Sequence, residues 1–158
     1  MSVNSDVQML QKVPLFSKVD PAHLQVLVFS SKRTKVSGGS YVFKKGTQGN
    51  AAFFVLSGRA IVRTGDGSDA RAIARVEQGA LMGEMAMTGK VPYSSSVQAV
   101  NDMSLLKLSN EMFMRVCEEF PDVGRNVLAV LAGKLDVSLQ GFKDVQQHFD
   151  NAKSFSNL

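Results

Sequence analysis

The chain has 158 residues, 44% of them apolar and 20% charged, with a net charge of +4 and a single cysteine, Cys117. This is the composition of one soluble globular domain with a full core, and a lone thiol excludes an internal disulfide, a zinc site built on several thiolates and a four-cysteine iron–sulfur cluster. No stretch approaches the ~20 apolar residues of a membrane span and no charged-then-apolar leader opens the chain, so a cytoplasmic protein without membrane attachment is expected.

In chain order, Val7 to Val13 fit a short helix, and Asp20 ahead of Pro21 fits the cap of a second helix through Leu24, Leu27 and Val28. Residues 1–30 are therefore expected to be N-terminal helices, with His23 decorating the pair. From Lys32 the pattern changes to short runs bounded by glycine: Y-V-F-K-K-G, A-F-F-V-L-S-G-R-A-I-V-R, A-I-A-R-V, and finally Met103 to Leu108. Short strands with regular turn signals at Gly38-Gly39, Gly46, Gly49-Asn50, Gly65-Asp66-Gly67 and Gly79 imply a β-barrel or sandwich over residues 32–108. Lysine and arginine outnumber the acids through Arg75, but they are scattered along the strands and read as a solvated surface.

Between the last two strands lies Met82 to Val97, M-G-E-M-A-M-T-G-K-V-P-Y-S-S-S-V. Gly83 and Ala86 allow backbone N–H groups to approach an anion closely. Glu84 repels phosphate but accepts hydrogen bonds from sugar hydroxyls. Together with Ser94, Ser95 and Ser96 they point to a ribose phosphate ligand. Catalysis has no such support: His23 and His148 fall in separate helices without metal-ligand spacing, the serine run lacks the glycines of a nucleophile elbow, and Glu84 has no evident second carboxylate. Neither an enzyme nor a metal site is expected.

Over residues 109–150 the chain returns to helices. Ser109 fits the cap of a helix through Met112, Val116 and Cys117, which Pro121 ends. Cys117 reads as a core thiol. Leu128, Leu131, Leu135, Ser138, Phe142, Val145 and Phe149 then recur at steps of three and four, the spacing of a two-helix seam, so a homodimer through this helix is expected. The competing reading packs the stripe on the barrel. Residues 151–158 form a polar tail.

The order of these motifs resembles the cyclic-nucleotide-binding domain family, whose cassette runs F-G-E-L-A-L, a variable turn, then P-R-x-A-T-V. Gly83, Glu84, Ala86, Pro92 and Val97 match it, Met82 stands for the aromatic residue, Met85 and Met87 are apolar substitutes, and Ser96 replaces threonine. The resemblance implies one domain over residues 1–158, mainly β with flanking helices: a jelly-roll-like β-roll with N-terminal helices, the cassette at 82–97 and a long C-terminal helix. It also implies cAMP or cGMP as ligand and no separate cofactor. The glutamate would hold the ribose 2′-hydroxyl, and backbone amides around Met85 and Ala86 would touch the phosphate.

Tyr93 stands where the family has the arginine that pairs with the phosphate. A phenol brings no charge, and an unpaired buried charge costs roughly 2–5 kcal/mol, about thirty-fold to several-thousand-fold in affinity. Tyr93 has three readings: a hydrogen-bond donor to phosphate, a ring filling the pocket, or a half-exposed residue beside a turn. Lys90 and Arg75 are the candidate replacement cations. The long helix is similar to the dimerisation helix of the catabolite activators, which would place Ser138 against the purine. Because few residues follow Phe149, no DNA-reading module is expected. Two functions remain open: a stand-alone receptor that signals to a protein partner, and a degenerate fold that binds no mononucleotide and serves as an interaction module.

Overall fold

A computed structural model describes residues 3–65 and 71–133. Helix α1 spans Val3–Gln11, a 3-10 turn spans Pro14–Phe16 and α2 spans Pro21–Ser30. As expected, Asp20 caps α2, its carboxylate accepting from the Ala22 N–H at 2.8 Å. The first helix begins four residues before Val7, where the apolar pattern first shows, because Val3, Val7 and Leu10 share the face that meets the core.

Among the described residues eight strands follow: β1 Lys32–Val36, β2 Tyr41–Phe43, β3 Ala51–Ser57, β4 Ala60–Thr64, β5 Arg71–Val76, β6 Leu81–Met82, β7 Ser96–Ala99 and β8 Met103–Ser109. They form two antiparallel four-stranded sheets, in the orders β1-β8-β3-β6 and β2-β7-β4-β5. This is the jelly-roll-like arrangement expected, with helices on one side. Strand β3 is buried along almost its whole length, which explains why A-A-F-F-V-L shows no polar alternation. Side chains alternate between faces along a strand. Ala52, Phe54 and Leu56 therefore join Leu106 and Leu108 beneath the helices, while Ala51, Phe53 and Val55 join Leu105 and Val97 between the sheets. One strand thus serves two cores.

Helix α3, Glu84–Gly89, interrupts the strands, and α4 spans Asn110–Glu119. The Ser109 hydroxyl accepts from the Met112 N–H at 3.1 Å, the cap expected. After Phe120 the chain is helical again (α5, residues 121–133). Val123, Val127 and Leu131 bury on the helical core, whereas Leu128 is 61% exposed. Leu131 is therefore core and not seam, since it falls in line with Val123 and Val127 at a spacing of four. Leu135 through Phe149, with Ser138, lie outside the described residues. His23 rests its ring on Phe120, centroids 4.8 Å apart, and so joins α2 to the junction after α4. Among the described residues no helix is long and apolar enough to cross a membrane.

Candidate functional site

The cassette folds around two left-handed residues. Gly83 has φ +74°, and a Cβ there would stand 3.1 Å from both the Ala51 carbonyl oxygen and a ring carbon of Tyr93; only glycine fits this turn into α3. At the other end Lys90, φ 52°, closes the helix by donating its N–H to the Ala86 carbonyl. Residues 46–49 then grip the segment after α3. Gly46 N–H donates to the Tyr93 carbonyl at 2.8 Å, Tyr93 N–H to the Thr47 carbonyl at 3.0 Å, and Gly49 N–H to the Val91 carbonyl at 3.1 Å. The Gln48 amide adds a bond to the Lys90 carbonyl. An otherwise irregular stretch is thereby fixed by a second loop.

Between α3 and this stretch lies a cavity of about 400 Å³, within the range of small-molecule sites. Gly83, Glu84, Met85 and Ala86 form one wall, and Pro92, Tyr93, Ser94 and Ser95 the other. Phe43 and Val91 complete it; neither was among the expected residues. Val91 sits in the cassette turn, and Phe43 arrives from β2, placed by its pairing with Val97. Ser96 does not line the cavity. It opens β7 with its side chain on the face opposite to buried Val97, and its hydroxyl accepts from the Lys45 N–H at 2.8 Å.

Tyr93 is not half-exposed and makes no bond toward the cavity. Its ring is buried and stacks on Phe43 with centroids 4.0 Å apart, and its hydroxyl donates to the Ala51 carbonyl at 2.9 Å. The ring is a floor for the site. Burial pushes its phenol above the ordinary value, partly offset by backbone groups of Ala51 and Asn50. A raised folded pKa means that stability is fully present below the unfolded value of about 10 and is lost as pH rises through the folded one. Tyr93→Phe is expected to lower stability by about 1 kcal/mol at pH 7. In denaturant unfolding at about pH 10.5 the gap between the two proteins should narrow; equal stability at pH 7 would show that the hydrogen bond contributes nothing.

Neither candidate cation lines the cavity. Arg75 pairs with Ile61, one residue out of phase with the inward Val62, so it faces away from the roll and borders a separate hollow with Arg59. Lys90 closes α3 through its backbone N–H and is not part of the cavity lining. Among the described residues Glu84 is the one charged side chain on the cavity wall, and none of those residues form a metal-binding cluster. Cys117 is half-buried beside the helical core, and burial pushes its thiol up, as suits an inert thiol.

The sequence profile of the cyclic nucleotide-binding domain matches residues 33–120, from β1 through α4. The Cyclic AMP receptor protein of Thermus thermophilus is 32% identical over 123 residues, 77% of this chain and 57% of that protein. A cyclic nucleotide-gated potassium channel of Mesorhizobium japonicum is 32% identical over 116 residues, 73% of this chain and 31% of the channel. The chain thus spans about a third to just over half the length of these relatives. In structure, the N-terminal domain of a transcriptional regulator from Streptomyces coelicolor superposes with a TM-score of 0.79, covering 84% of this chain and 93% of that one at 21% identity, a likeness of fold. With the match running over more than half its length and through the whole cassette, the chain belongs to the cyclic nucleotide-binding domain family.

Proposed function

We propose that the chain is a cytoplasmic regulatory sensor and not an enzyme: the cavity takes cAMP or cGMP, and its occupancy is passed to a protein partner, with the long C-terminal helix forming a homodimer. The observation that carries this reading is the cavity itself, whose lining brings Glu84 together with Ser94 and Ser95 of the cassette. A carboxylate accepts hydrogen bonds from ribose hydroxyls, and the serine hydroxyls both donate and accept. Such a sensor signals only if the ligand prefers one arrangement of the helices over another. Exposed Leu128 is the described start of the helix stripe assigned to the dimer.

The test is calorimetric titration of nucleotide-stripped protein with cAMP and cGMP. Saturable heat at micromolar or lower Kd is the expected result. Glu84→Ala should then weaken binding roughly ten- to hundred-fold, the worth of a hydrogen bond to a charged group; unchanged affinity would remove Glu84 from the site. The burial of Tyr93 in place of a cation favours the second reading, an interaction module that binds no mononucleotide. Absence of heat up to millimolar ligand, together with a dimer in sedimentation, would select it.

A further inference from the structure

A cyclic nucleotide carries a negative phosphodiester, and the cavity wall offers it a carboxylate but no described cation. The register of the second sheet indicates where one is available. Strands β7 and β4 pair Val97 with Val62 and Ser96 with Arg63, the last pair of that ladder; the next residues are Thr64 on β4 and Ser95, which immediately precedes β7 and belongs to the cavity wall. Strand β5 in turn pairs Arg71 with Thr64. Thr64 and Arg71 therefore make one row across the sheet, at the end nearest Ser95.

That row is on the inner face. Val62 packs against the inter-sheet core beside Val97, and Thr64 follows it by two residues, on the same face. The other basic residues of this hairpin are out of phase or engaged. Arg75 faces away with Ile61, and Arg63 bonds the Gln98 carboxamide through Nε at 3.1 Å. On β2 and the loop after it, Lys44 lies over the Tyr41 ring. A bulge at Ile73, between the pairs Val62–Ala74 and Arg63–Ala72, offsets Arg71 from Arg75 and sets it in phase with Thr64. Arg71 is exposed and forms no ion pair among the described residues. Two strand spacings, about 10 Å, separate its backbone from that of Ser95, and an extended arginine side chain covers most of that gap.

We propose that Arg71 is the phosphate-pairing cation of this site, reaching from β5 over Thr64 to a nucleotide held beside Ser95. The inference rests on the cavity being a cyclic nucleotide site. Its chemistry differs from that of a cation within the cassette, because the charge arrives from two strands away in the same sheet and from an exposed side chain. Binding should therefore depend on salt, and a guanidinium should serve better than an ammonium, which cannot grip two phosphate oxygens at once.

The experiment is calorimetry of the full chain, Arg71→Ala and Arg71→Lys, each titrated with cAMP and with adenosine, which has the same base and ribose but no phosphate. Arg71→Ala is expected to lose roughly thirty-fold or more in cAMP affinity, to keep its affinity for adenosine and to melt as the unsubstituted chain does, with Arg71→Lys in between. Equal cAMP affinity in Arg71→Ala and the unsubstituted chain would overturn the proposal and leave the receptor reading standing. An equal loss toward cAMP and adenosine would overturn it in favour of a packing role. No cAMP binding by the unsubstituted chain would overturn both.

Discussion

Gly49→Ala is expected to destabilise the protein by about 1–3 kcal/mol, the usual cost of forcing a methyl group into a filled core, and to deform the ligand cavity with it. A Cβ at this position would stand 2.3 Å from the Val91 carbonyl oxygen and 2.5 Å from the Ala86 Cβ. Neither can yield freely. Val91 accepts the Gly49 N–H, and Ala86 is buried within α3. The strain therefore falls on both walls of the cavity at once. Denaturant unfolding and ligand titration of the same variant check the two effects; full stability with native affinity would mean that the loop and α3 are free to part. Gly39 makes a fitting control, since a Cβ there meets nothing within 4 Å, although its φ of +90° still carries a backbone penalty.

Arg33→Ala is expected to lower stability by about 3–5 kcal/mol, more than Asp6→Ala does. The two side chains form an ion pair between β1 and α1, but they are unequal members. The Asp6 carboxylate is fully buried, while the Arg33 guanidinium is 48% exposed. Removing the arginine leaves a buried carboxylate alone, and its Oδ1 already has no hydrogen-bond partner among the described residues. Removing the aspartate leaves an arginine that water can solvate. Unfolding curves of the two single variants measure the difference, and equal losses would show that burial of Asp6 does not set the cost. Because the pair ties α1 to β1, the loss should include detachment of the first helix.

The sheet architecture was readable from glycine spacing because each turn is a local event. The helix caps Asp20 and Ser109 were readable for the same reason. Helix α3 was not: six residues between Gly83 and Lys90 are too few for a 3.6-residue period to stand out. Gly83 to Ala86 and Pro92 to Ser95 of the cassette line one cavity, yet Phe43, which lines it with them, comes from a strand some forty positions earlier and only sheet pairing brings it in. Ser96 and Arg75 were misplaced through one oversight, that strand alternation assigns them a face. In S-V-Q-A the buried Val97 sends Ser96 and Gln98 outward, and the pairing with Ile61 does the same for Arg75. Tyr93 was left among three readings because nothing local tells a buried ring from an exposed one; its fate depends on Phe43 and Ala51.

Asn110 is a small detail with a mechanical result. Buried at the first turn of α4, it donates its side-chain amide to the Met87 carbonyl of α3 at 2.6 Å and its backbone N–H to the Asn50 carbonyl at 2.7 Å. Met87 in turn is sunk in the same core as Met112, Phe113 and Val116. The helix that forms a wall of the cavity is thus riveted to the helix that leads to the C-terminal end of the chain. A shift of α3 by half an ångström leaves only two courses: the rivet shears and a buried amide is stranded, or α4 travels too. The second keeps the buried amide paired, so a displacement at the cavity wall is shared with α4 and not confined to α3.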